Sequence, residues 1–246
     1  DEIKEKCPIM DTAGVLGGLW ADREGYVDTT GTVFAYARAA KMRGAEVVEH
    51  NKVEGLDQRA DGTWDVMTEQ GTVHAEHVVN AGGLWAKQVG RMAGLELPLS
   101  PLEHHYLVTD TIAEVAALDF ELPMTVDLEG FTYMRQDQKG VLIGIYEINH
   151  KHWNIDGAPW DYGIELLQED VDRISNELEM TFTRYPVLHE VGVKNWVNGA
   201  FTFSPDGNPL VGPVAGSRNY WLACGVMAGF LQGGGVGKTL AEWMIH

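Results

Sequence analysis

The stretch that most limits the fold of this chain is its close. "YWLACGVMAGFLQGGGVGKTLAEWMIH" (220–246) sets an apolar run, then glycines 225, 229, 233, 234, 235 and 237, then an amphipathic run. That order predicts strand, glycine loop and helix, the local grammar of an α/β layer. Gly-Lys-Thr at 237–239 invites comparison with a nucleotide phosphate loop, which needs a glycine at position 232. Gln232 stands there, and only seven residues follow Thr239, where a metal-holding aspartate strand would have to come. The triphosphatase reading is set aside on both counts. Two readings of the glycines stay open. They let helix-start N–H groups approach an electron-rich ligand, or they pack a helix tightly on a sheet.

Upstream, "DTTGTVFAYARAAKMRGAEVVEH" (28–50) predicts a helix capped by Thr29 or Thr30, with Gly44 at its end and a strand over "AEVVEH". "TWDVMTEQGTVHAEHVVNAGG" (63–83) alternates as a hairpin turning at Gln70-Gly71, then runs through a short apolar strand into a glycine turn. "LWAKQVGRMAG" reads as the helix that follows. From Leu97 the pattern changes to antiparallel strands, in "HHYLVTD", "MTVDLEGFTYMRQDQKGVLIGIYE" and "EVGVKNWVNGAFTFS", with a long helix in residues 159–188. The division is 1–96, an α/β part with an irregular start; 97–198, an antiparallel substrate-type domain; and 199–246, a return to the first. The fold class is α/β, built as α+β in two domains.

On the strand "EHHYLVTD", His104 and Tyr106 share one face and His105 takes the other; Tyr133 and Arg135 share a face on a later strand. Histidine and tyrosine exchange or polarise protons near neutral pH when their surroundings tune them. The alternative is an interior histidine and an interfacial tyrosine. The spacing of "NAGG" favours a plain strand–helix connection over a ligand-facing turn. No Cys-x-x-Cys or matched histidine–carboxylate spacing predicts a metal. A net charge of −18 argues against nucleic acid and anionic membrane surfaces as partners. No run of about 18 apolar residues predicts a membrane span. Two cysteines far apart in the chain fit a reducing compartment.

Taken together, "RAAKMRGAEVVEHNKVEGL", "VVNAGGLWAKQVGRMAGLELPLSPLEHHYLVTD", "FTFSPDGNPLVGP" and the closing stretch resemble the flavin-dependent amine oxidoreductases of the D-amino-acid-oxidase superfamily, in the dimethylglycine and sarcosine dehydrogenase branch. The resemblance implies a partial FAD-binding, Rossmann-like domain and an antiparallel substrate domain. It implies FAD contacts at Val53, Ala81, Gly82, Trp85 and Gly225, and N–H groups of Gly229, Phe230, Leu231 and Gln232 aimed at the flavin N1–C2=O edge. His104 and Tyr133 fall where such enzymes place an active-site histidine and a substrate-facing tyrosine. The implied reaction is oxidative demethylation of a small N-methylated amino acid by hydride transfer to flavin, the iminium being captured by water or by folate in a separate domain. The implied location is the cytoplasm or a mitochondrial matrix. A glycine oxidase or glycerol-3-phosphate dehydrogenase type, or a non-catalytic binding module, are the alternatives. The Gly-x-Gly-x-x-Gly turn for the FAD pyrophosphate is not found after any strand. The chain therefore reads as the C-terminal part of an FAD domain, cut at both ends, and is expected to bind FAD weakly or not at all by itself.

Overall fold

Strand pairing and helix capping follow from where apolar residues recur, and a computed structural model shows how, for residues 2–246. In chain order the helices are α1 (Glu2–Lys6), α2 (Thr29–Lys41), α3 (Ala86–Met92), α4 (Ala113–Ala116), α5 (Ser175–Arg184) and α6 (Gly229–Ile245). The strands are β1 (Val53–Gln58), β2 (Trp64–Thr68), β3 (Gly71–Ala75), β4 (Val78–Asn80), β5 (Ser100–Thr109), β6 (Thr125–Asp127), β7 (Thr132–Asp137), β8 (Gly140–Ile145), β9 (Val193–Phe203), β10 (Leu210–Pro213) and β11 (Tyr220–Cys224). The chain divides into two units.

One unit comprises the residues up to Tyr26, Glu103–Lys151 and Ile164–Ala200. Its sheet has the order β6-β7-β8-β5-β9. β7 pairs antiparallel with β8, and β8 with β5. β8, "GVLIGI", is buried at every residue, which is what an unbroken apolar run in a central strand requires. Its Ile143 and Ile145 pack with Leu107, Met134, Ile174 and Tyr185 in a closed core. Burying each such aliphatic chain contributes about 1.5–3 kcal/mol. The long helix expected in residues 159–188 is the ten-residue α5, preceded by a single 3-10 turn.

The other unit comprises Val27–Leu102, His152–Gly163 and Phe201–His246. β1, β2 and β3 form an antiparallel meander, with Thr68 paired to Gly71, so the hairpin turns at Glu69-Gln70, one residue before the expected Gln70-Gly71. A second sheet has the order β10-β11-β4, in which β11 runs parallel to β4. Trp64 and Tyr220, ring centroids 5.4 Å apart, lock a small core with Leu56.

Three local expectations are corrected. The cap of α2 is Asp28, whose carboxylate accepts from the Gly31 N–H at 3.1 Å, one residue before the threonines. An aspartate at that position satisfies an orphan donor as well as threonine does and adds charge at the positive helix end. Residues 45–50 form no strand. A strand exists only against a partner, and among the described residues none pairs with them, so Val48 stays 59% exposed. The glycines from 229 to 237 are not a loop but the first half of α6. Backbone ladder bonds do not require side chains, and Leu240, 4% exposed, anchors the helix further along. Each interior glycine still costs the helix roughly 0.5–1 kcal/mol. Gly237-Lys238-Thr239 therefore sits in mid-helix, where no phosphate loop can form.

Candidate functional site

β5 alternates as its sequence demands: His104 and Tyr106 are half-buried on one face and His105 is wholly buried on the other. Tyr133 projects from β7 beside them. Its ring stacks on His104 with centroids 6.5 Å apart and 19° between planes. Tyr146, directly after β8, completes the cluster at 5.4 Å from Tyr133 and 6.5 Å from His104. Its backbone N–H donates to Phe131 O at 2.7 Å, which fixes where the strand turns out. Burial, with the nearby Tyr146, Tyr106 and Glu147, pushes the Tyr133 hydroxyl up to about 12. Tyr133 is thus a protonated donor across the physiological range.

Glu147 lies beneath this surface with 4% of its side chain exposed. Its Oε2 is 2.9 Å from His104 Nδ1. Its Oε1 accepts from the His105 backbone N–H at 2.6 Å and lies 3.0 Å from His105 Nδ1. Burial alone would raise this carboxyl; the hydrogen bonds from His104 and His105 overcome it and hold the group down at about 2, against 4.5 for a free glutamate. The folded state then binds this proton more weakly than the unfolded chain does. The stabilisation is complete above about pH 4.5 and is lost as pH falls from there towards 2. Melting temperatures measured across that window should fall with acid, and Glu147→Gln should flatten that part of the curve. Equal slopes for the two proteins would contradict the assignment.

The residues expected to contact FAD fall in the other unit. Asn80, 2% exposed, staples the "NAGG" turn: its Oδ1 accepts from the Gly82 N–H at 3.1 Å and its Nδ2 donates to Ala86 O at 2.8 Å. Ala81 and Gly82 follow β4 directly, and Trp85 donates its indole N–H to Pro159 O at 2.9 Å. Val53 begins β1, opposite Thr68. Gly225 has φ +63°, a conformation side chains resist, and a β-carbon there would meet Leu99 Cδ2 at 3.0 Å. α6 then starts at Gly229 with no side-chain cap. The N–H groups of Gly229, Phe230 and Leu231 have no partner within the helix, whereas Gln232 N–H donates to Ala228 O at 2.9 Å. Phe230 and Leu231 are 52% and 87% exposed. Uncapped donors at a positive helix end, flanked by exposed apolar side chains, fit the electron-rich edge of a flavin ring. Among the described residues no group of three or more histidine, cysteine and carboxylate side chains could hold a metal ion, and no helix is long and apolar enough to cross a membrane.

Tyr146 and Glu147 were not legible as site residues in the sequence. Their signal is faint: a tyrosine and a carboxylate directly after an apolar strand, in "GIYE".

The fold is that of the α/β amino-acid dehydrogenases and oxidases. L-proline dehydrogenase from P. horikoshii superposes with a TM-score of 0.81 at 24% identity, over 99% of this chain and 62% of that one. The chain belongs to the FAD dependent oxidoreductase (DAO) family, whose model matches residues 1–243. Over its whole length it is 44% identical to the mitochondrial dimethylglycine dehydrogenase of Mus musculus and 35% identical to the mitochondrial sarcosine dehydrogenase of the same species. It spans 29% and 27% of those proteins.

Proposed function

We propose that the protein containing this chain is an FAD-dependent demethylating oxidoreductase for a small N-methylated amino acid such as dimethylglycine or sarcosine. The observation that carries the reading is 44% identity to a dimethylglycine dehydrogenase over an alignment that covers the whole chain. FAD, when bound, accepts the two electrons and the hydrogen released by the N-methyl carbon. In this reading Gly229, Phe230 and Leu231 donate N–H groups to its ring, and Val53, Ala81, Gly82, Trp85 and Gly225 line its place. These belong to a partial Rossmann-like domain.

The site chemistry falls to the antiparallel unit. The Tyr133 hydroxyl, held protonated, donates to the substrate carboxylate. His104 orients the amine. The rings of His104, Tyr133 and Tyr146 offer faces that suit a methylated ammonium, whose charge is spread and poorly hydrated. The oxidised substrate leaves as an iminium, which water converts to formaldehyde and the demethylated amine.

Anaerobic mixing of the full-length, flavin-loaded protein with candidate substrates tests this. Dimethylglycine and sarcosine should bleach the flavin band and release formaldehyde, while glycine and glycerol 3-phosphate should not. Bleaching by glycine or glycerol 3-phosphate alone would move the protein to another branch of the family. Bleaching by none of the four would favour a non-catalytic binding module.

A further inference from the structure

We infer that Glu147 is the positioning residue of this site: it holds the His104 ring with the proton on Nδ1, so that Nε2 is the acceptor nitrogen offered to the substrate amine. This rests on the reading of His104 as the amine-facing residue. The argument begins one residue further along. His105 is buried completely. Its Nε2 accepts from the Asp170 backbone N–H at 3.1 Å. Glu147 Oε1 lies 3.0 Å from its Nδ1, and the His105 backbone N–H, which can only donate, reaches the same Oε1 at 2.6 Å.

Oε1 is therefore committed to the backbone N–H of His105. Only Oε2 faces His104. A carboxylate oxygen accepts and does not donate, so the group opposite it must be His104 Nδ1–H. Neutral imidazole with Nδ1 protonated has its lone pair on Nε2. An N-methylated ammonium carries an N–H donor, and Nε2 is the complementary acceptor.

The surroundings keep this arrangement charged and rigid. His104 and His105 face Glu147 from β5, and Tyr133 and Tyr146 pack against the His104 ring. Behind His105, Arg173 Nη2 lies 3.2 Å from His105 Nδ1 and 3.5 Å from Glu103. Lys151 closes the far side of Glu103 at 3.0 Å, and Asn198 Nδ2 donates to Glu103 at 2.8 Å. Arg173 Nη1 donates to Asn149 O at 2.9 Å, and the buried Glu177 accepts from the Ile148 N–H at 2.7 Å. The backbone just after Glu147 is thereby pinned from the helix side.

Glu147→Gln tests the inference because it preserves shape and inverts one contact. The amide oxygen must face the His105 backbone N–H, so the amide NH₂ faces His104 Nδ1. The His104 proton should then move to Nε2, which sets a donor against the substrate's donor. Magic-angle-spinning NMR of the full-length protein labelled with [15N]histidine reads the ring tautomer, and His104→Gln assigns the signals by difference. The expected result is Nδ1–H in the native protein and Nε2–H in Glu147→Gln, with kcat/KM for dimethylglycine lowered about 100-fold. A native His104 ring protonated on Nε2 overturns the inference, and this measurement decides even where the variant does not fold. A folded Glu147→Gln with native kcat/KM overturns it as well. Failure of the underlying site reading looks different. His104→Ala would then keep full activity while the ring signals still followed residue 147, and the purpose assigned to Glu147 would fall with that reading.

Discussion

His104→Ala should lower kcat/KM for dimethylglycine by about 10²–10³-fold in the full-length, flavin-loaded protein. The size follows from what the residue supplies. Its imidazole packs against Tyr133 and Tyr146, and its orientation is fixed from below by a buried carboxylate. An alanine removes both the acceptor and the ring face that packs the substrate. Tyr133→Phe should act more weakly, about 10–100-fold, because it removes one hydrogen bond to a charged carboxylate and keeps the ring. The effects should fall short of additive, since the two rings stack and position one ligand together. The split between parameters is informative. Tyr133→Phe should act mainly on KM if it anchors the carboxylate in ground state and transition state alike. Its hydroxyl stays protonated up to about 12, so its contribution should be flat across the physiological pH range. Native kcat/KM in both variants, with unchanged melting temperatures, would remove these residues from the site.

The sequence carries the antiparallel unit well because each of its strands states its own environment. β5 alternates, β8 is apolar throughout, and His104, His105 and Tyr106 fall on the expected faces. The strand, turn and helix of residues 78–92 are equally legible, since Asn80 and its glycines act within a few residues of one another. Legibility ends where a partner decides the outcome. Residues 45–50 have strand chemistry but find no strand to pair with among the described residues. α2 has an apolar stripe but leaves Phe34 and Tyr36 65% exposed. Glycines 229–237 look like a loop by composition and are helix by backbone bonding, because glycine permits either. Glu147 stands 43 residues from His104 and is brought to it only by the pairing of β5 with β8. No local pattern reports that.

Gly144→Val should disable the site and destabilise the unit together, and the reason is steric. Gly144 lies in the middle of β8, paired with Tyr133 on one side and Tyr106 on the other. Its backbone is not in the left-handed region, so any residue could adopt the conformation. What the position lacks is room. A β-carbon there would fall on Cζ, Cε1 and the hydroxyl of Tyr133, which lies across the bare strand. The ring must leave its place across the strand and with it the contacts to His104 and Tyr146. Overpacking of this kind costs about 1–3 kcal/mol, partly offset by the lower backbone entropy of the unfolded chain. Displacing Tyr133 by even 1 Å should lower kcat/KM about 100-fold. Gly199→Ala is the matched control, a strand glycine with nothing within 4 Å of its added carbon, and it should leave both quantities near native. The decisive comparison is the double variant. If the Tyr133 ring is the obstacle, Gly144→Val should cost little stability in a Tyr133→Ala background, and the missing cost is the coupling energy between the two positions. Equal costs in both backgrounds, read from melting temperatures, would mean that Gly144 is required for some other reason and that the ring does not depend on it.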